Sequence, residues 1–252
     1  MRIDSGLGFG CARSLGEGMP QRLNAFLSCL MLACALAGHA FAQAADNSVP
    51  WTEASVEGVS LGDWTAKWWR WARNAAIEPY LDPDGRLCDT DQSGPVWFLA
   101  GTDGTFSPHR SCVVPESKYL LLPVINMVYE QRARDAHSLK CAEVQARAAV
   151  NNDRLVSAVV VLDGKSLGEM RVHRVRSDCF QLDPDCECAT LAAADGYWLM
   201  LKPLSRGHHT ISVGANYGNP GEAYGMMRQS FEYELDVGGR VLLGMTEPRE
   251  KQ

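Results

Sequence analysis

The chain has 252 residues, carries a formal net charge of −6 near neutral pH, and contains nine cysteines, seven tryptophans and 23 glycines. Its acidic balance excludes general nucleic-acid binding and adhesion to anionic lipid, both of which need basic surface. The length suits one domain once a leader is set aside.

The N-terminal region reads as that leader. Arg22 precedes an apolar stretch, Leu23 to Ala37, broken only by Asn24 and Ser28, and Ala40-Phe41-Ala42 follows as a small-x-small cleavage signal. Positive charge, short apolar segment and cleavage site, in that order, predict a signal peptide over residues 1–42. Cleavage is expected after Ala42 or Ala44, and translation starts at Met1 or Met19. Met31-Leu32-Ala33-Cys34 offers a second route, a loose lipobox that would lipidate Cys34. The leader carries a net charge of +1, so its removal takes the chain from −6 to −7. No later apolar run reaches the roughly 20 residues of a bilayer span, so no transmembrane segment is expected after processing. The expected location is periplasmic or secreted.

Cysteine usage points the same way. Cys11, Cys29 and Cys34 lie in the leader, which leaves Cys88, Cys112, Cys141, Cys179, Cys186 and Cys188. An even set in an oxidising compartment predicts disulfides. Cys88 and Cys112 flank a strand candidate at 95–100 and are the expected pair. The partners of the other four stay open.

Residues 43–59 read as an extended lead-in. Ser60 then begins a helix, with Asp63 three residues on, close to a capping box. Leu61, Trp64, Trp68, Trp71 and Ala75 recur at helical spacing, while Lys67, Arg70, Arg73 and Asn74 fall opposite. Trp69 lies off that stripe. The helix ends before Pro79, and Leu81 to Gly85 forms a turn. Pro95 to Ala100 is a strand, and Gly101 to Gly104 turns the chain. Tyr119 to Val128 is an apolar strand that Pro123 makes an edge or a bulge. A second helix is expected over 132–150. Leu155 to Leu162, a hairpin at Asp163-Gly164 and a return over Leu167 to Val175 follow. A cysteine-rich acidic loop runs from Ser177 to Ala194. Strands are expected at Tyr197 to Leu201 and along His209, Ile211 and Val213, then a glycine-rich loop from Gly214 to Gly225. Phe231, Tyr233, Leu235 and Val237 alternate, the mark of a half-buried strand. Val241 to Leu243 pairs with it or ends the sheet, and residues 246–252 form a flexible tail. The fold expected for residues 43–245 is one mainly β domain, a β-sandwich of jelly-roll or Ig-like type with two accessory helices.

Trp64 to Trp71 (WTAKWWRW), Gln92 to Gly101 (QSGPVWFLAG) and Ala194 to Leu201 (ADGYWLML) resemble segments of an uncharacterised family of secreted bacterial proteins. Cys112 to Pro115, Leu121 to Asn126 and Pro203 to Ile211 add to the likeness, which reaches across most of the mature chain. The resemblance implies a signal peptide, a mainly β fold and residence outside the cytoplasm. It implies no activity. The segment around Cys179, Cys186 and Cys188 departs from the pattern.

Three chemistries compete. The first is a non-enzymatic exported protein that binds an extracytoplasmic ligand or envelope partner, with a glycan as the candidate class. Core packing accounts for Trp64, Trp68 and Trp71, which leaves Trp69 as the ligand-contact candidate. The second is a periplasmic or secreted hydrolase with polar groups Asp89, Asp91, His109 and Asn126, although no nucleophile motif accompanies them. The third is metal binding by the 178–188 loop through Asp183, Asp185, Cys186 and Cys188. There, disulfides compete for the thiols and Cys186-x-Cys188 lacks the usual zinc spacer. Asp82, Asp84, Asp89 and Asp91 resemble a calcium loop, but Leu87 stands where an EF-type loop needs glycine. His208 and His209, adjacent on a strand, would point to opposite faces. No cofactor is expected.

Overall fold

The computed structural model describes residues 49–131, 138–184, 191–221 and 224–240. The expected leader with Cys34, the segment Val241 to Leu243, the tail, and Asp185, Cys186 and Cys188 lie outside the described residues. The described elements belong to one unit, residues 47–252.

In chain order the elements are α1 (Leu61–Asn74), β1 (Val96–Phe98), β2 (His109–Val114), β3 (Tyr119–Glu130), α2 (Cys141–Ala149), β4 (Leu155–Leu162), β5 (Lys165–Ser166), β6 (Arg174–Arg176), β7 (Phe180–Gln181), β8 (Leu191–Leu201), β9 (Gly207–Gly218) and β10 (Met226–Val237). The first sheet runs β1-β3-β8-β6, with β7 also on β8; the second runs β2-β10-β9-β4-β5. The β1–β3 and β2–β10 pairs are parallel. The architecture is mainly β, a sandwich with two accessory helices.

Two cores follow from this layering. Between the sheets, Leu122, Leu199 and Leu201 of the first meet Val160, Ile211, Val213, Phe231 and Leu235 of the second. On the outer face of the first sheet, the α1 tryptophans pack with Leu121, Ala194, Trp198 and Met200. Each fully buried side chain of this size contributes about 1.5–3 kcal/mol. The first sheet is therefore covered on both faces, and β8 is buried along almost its whole length.

α1 starts where the sequence places it. The Ser60 side chain accepts from the Asp63 N–H at 3.1 Å and caps the helix. Trp64, Trp68 and Trp71 then anchor it, donating through Nε1 to the carbonyls of Val56, Leu99 and Thr90 at 3.3, 2.8 and 2.8 Å. Pro123 also behaves as expected. β1 ends opposite Leu121, and the register with β8 shifts between Pro123 and Ile125. The missing proline N–H thus falls where no β1 partner waits. The lead-in joins the first sheet's edge: Trp51 bridges Leu201, and Thr52 N–H donates to Met200 O at 2.9 Å.

Four expectations change. The return expected over Leu167 to Val175 breaks after β5, passes through a 3-10 turn at Met170–His173, and enters the other sheet as β6. The loop expected from Gly214 is strand through Gly218, because Val213, Ala215 and Tyr217 alternate into the core. The strand expected at Tyr197 begins at Leu191, its alanines fitting beneath packed helices. His109 to Val114, expected in no element, is β2, its alternation hidden by the buried charge of Arg110.

Candidate binding groove

α1 carries its polar face along a groove of about 620 Å³, lined by Trp64, Lys67, Arg70, Trp71, Asn74, Asp91, Ser93, Gly94, Pro95 and Phe98. Phe98 forms the floor between two indoles, 6.2 Å from Trp64 and 5.4 Å from Trp71, centroid to centroid. The opposite wall is the segment after Cys88, inside the loop that the Cys88–Cys112 disulfide closes. That wall is held rigidly. Gln92 Nε2 donates to the carbonyls of Cys88 and Phe98 at 3.0 and 2.9 Å, while its Oε1 accepts the Phe98 N–H at 2.9 Å. Asp91 sits beside this clamp with φ of 51°, a left-handed conformation uncommon for a residue with a side chain.

The rim is mostly cationic. Lys67 Nζ lies 5.3 Å over the Trp64 ring, and Arg70 lies 5.2 Å over Phe180 while its Nε donates to Gln181 O at 2.8 Å. Lys67 and Arg70 also border a second cleft of about 400 Å³, lined further by Asp63, Asp178 and Phe180. The two clefts thus flank one ridge of α1. Aromatic faces with hydrogen-bonding rims can hold a ligand that is apolar on one side and polar at its edges.

The anticipated residues divide. Asp91 lines the groove, whereas Asp89 is exposed on the adjoining turn and is not part of the lining. Trp69 requires a correction. It is not part of the groove lining, and it is buried, stacking edge-on against Trp68 at 5.0 Å. It falls off the expected stripe yet is buried, because α1 also meets Phe180 and Leu182, which share its cluster. His109 is exposed on β2, with Nδ1 3.0 Å from Glu232 Oε2 and Nε2 3.3 Å from Glu234 Oε1. Its pKa is raised chiefly by the Glu232 hydrogen bond, against desolvation and with help from Glu234. Asn126 is half-buried on β3, near Gly101: a Cβ there would meet Asn126 Oδ1 at 3.4 Å and Gln229 Oε1 at 3.3 Å. Of the four polar residues proposed as a hydrolytic set, the groove holds Asp91 alone.

In the first acidic cluster, Asp82 has a structural role. Asp82 is buried, and its carboxylate accepts N–H groups from Asp84, Gly85 and Leu87 at 3.2, 3.1 and 2.8 Å. Burial pushes its pKa up, but these hydrogen bonds and Arg110 hold it below the ordinary value. Arg110, 1% exposed, donates to the carbonyls of Asp82 and Ala100 at 2.8 and 2.9 Å and to Tyr233 Oη at 3.1 Å. Cys179 bonds to Cys141, and Asp183 is exposed; among the described residues no His, Cys, Asp or Glu cluster could hold a metal ion. His209 points to Asp163, Nδ1 to Oδ2 2.7 Å, while His208 is exposed.

Sequence reasoning missed Lys67, Arg70, Asn74, Ser93 and Phe98 as groove residues. The legible signal was the helical spacing of Lys67, Arg70 and Asn74, which aligns one polar face. Its facing wall was not legible.

A disulfide-linked β-sandwich bearing an aromatic-floored groove is the class that fold and site define. Comparison of the chain with protein-family models, curated proteins and solved structures finds no match.

Proposed function

We propose that this chain is an exported, non-enzymatic binding protein whose α1 groove takes a glycan of the cell envelope or surroundings. The observation that carries the reading is the half-buried Phe98 ring, with the edges of the buried Trp64 and Trp71 beside it, set within a rim of Lys67, Arg70, Asn74, Asp91 and Ser93. A sugar ring presents one apolar face and an equator of hydroxyls, which matches that division. Lys67 and Arg70 outnumber Asp91, which favours a glycan bearing carboxylates. Export is supported by the Cys88–Cys112 and Cys141–Cys179 disulfides, since such bonds persist in oxidising compartments. Among the described residues no helix is long and apolar enough to cross a membrane.

Titration calorimetry with neutral and uronic-acid oligosaccharides tests the ligand class. Lys67→Ala and Asn74→Ala should each weaken binding about tenfold, while circular dichroism stays unchanged. Binding that ignores both substitutions, or no heat from either sugar class, would remove the groove as a glycan site.

A further inference from the structure

A second cavity, of about 200 Å³, is lined by Trp51, Thr52, Glu53, Leu61, Val172, His173, Arg174, Val175 and the β8 residues Trp198 to Met200. It forms where the edge of the first sheet passes from β6 to the lead-in. Arg174 pairs opposite Tyr197 and Trp51 opposite Leu201, so residues 198–200 run beneath the join.

His173 lines this cavity with only 6% of its surface exposed. Its ring meets Trp51 edge-on, 5.2 Å between centroids at 88°. Its ring nitrogens make no hydrogen bond to another described residue and are not among the fully buried polar atoms, so they keep contact with solvent. An imidazole that meets solvent on a cavity lining is free to bond a ligand there. Burial is the larger influence on this ring and holds its pKa below the ordinary histidine value, with Glu53 opposing. At neutral pH the ring therefore offers one N–H and one lone pair.

The surrounding charge favours a cation. Arg174 forms part of the wall, yet its guanidinium is occupied. Its Nε and Nη2 bind Asp195 at 3.0 and 3.2 Å, and Nη2 also binds Asp153 at 2.7 Å. Arg176 Nε binds Asp195 at 2.7 Å. Arg174 is thus neutralised by Asp153 and Asp195, and Glu53 is the carboxylate on the cavity lining. Val172, 71% exposed, gives the rim an apolar lip, and Leu61, Val175 and Met200 continue it inward.

We propose that this cavity binds a small primary ammonium compound with a short apolar tail. The ammonium donates to the Glu53 carboxylate and to the lone pair of His173, and the tail lies against Val172, Val175 and Met200. The site shares no lining residue with the α1 groove, so the two readings stand or fall separately.

The test is carbon–proton NMR of the histidine rings of the intact protein, titrated with butylammonium chloride at neutral pH. The His173 resonance is assigned with His173→Gln. A saturable shift confined to His173 is expected, with butan-1-ol and butyrate at least about tenfold weaker. Glu53→Gln, an exposed change that leaves the fold intact, should weaken butylammonium about tenfold and leave sugar binding in the groove untouched. An absent shift at about 10 mM probe, equal responses to the three probes, or indifference to Glu53→Gln would each overturn the proposal.

Discussion

β8 and β10 are both long inner strands, yet they present themselves in opposite ways. β10 alternates buried and exposed residues from Gln229 to Val237, because one face of its sheet meets the core and the other meets water. β8 is buried at every position from Ala192 to Leu201, because helices cover the outer face of its sheet. Hence β10 shows the period of a strand in its sequence, whereas β8 reads as an alanine run followed by an apolar run. The difference also concentrates polar chemistry. On the open face of the second sheet, His109, Glu232 and Glu234 sit in solvent, and its buried charge, Arg110, lies on the edge strand β2. In the first, Asp195 is 1% exposed and must be matched inside, by Arg174, Arg176 and the Asn152 side chain at 3.0 Å.

The comparison breaks most easily at Trp198, which is fully buried on β8 and stacks edge-on with Trp68 at 5.4 Å. Trp198→Ala should cost about 3–5 kcal/mol in urea denaturation, while Glu234→Ala on β10 should stay within about 0.5 kcal/mol. Equal effects would mean that the two sheets are not covered differently. Next come the disulfides, which close loops of 24 and 38 residues. Replacing either cysteine pair by alanine should cost about 2–4 kcal/mol, read from the same denaturation curves. Asp195→Ala leaves two guanidiniums with Asp153 as their remaining carboxylate. A loss of about 2–3 kcal/mol is expected, below that of a wholly buried pair because Arg174 and Arg176 keep 24% and 56% side-chain exposure.

The smallest effect is a pH dependence near the start of β9. Burial of His209 acts to lower its pKa, but the Asp163 carboxylate and the Ser205 carbonyl outweigh this and raise it. The protonated pair therefore stabilises the fold fully below the unfolded histidine pKa, about 6.5, and that stability fades as pH rises through the folded value. Wild type minus His209→Gln, measured from about pH 5 to about pH 9, should show a decline of under about 1 kcal/mol. A difference that grows with pH would contradict this assignment.

The groove shows why only half of a site is readable beforehand. Lys67, Arg70 and Asn74 share a helix face by local geometry alone. Asp91 and Phe98 join them because the Gln92 clamp and the Thr90 carbonyl bring a distant loop against Trp71. Trp69 failed as a ligand candidate for the same reason. Its exposure depended on Phe180 and Leu182, which lie more than a hundred residues later.

Residue order alone was enough for the capped helix at Ser60, the Pro123 bulge, the Cys88–Cys112 bridge, the alternation of β10 and the mainly β class. Each depends on backbone stereochemistry, on hydropathy at fixed spacing, or on cysteines flanking one strand. Tertiary structure decided which strands are covered twice, where β6 changes sheets, that Cys141 meets Cys179, and that His173 lines a cavity beside Trp51. These outcomes arise from contacts between segments far apart in the chain, and burial is a property of all the surrounding segments together.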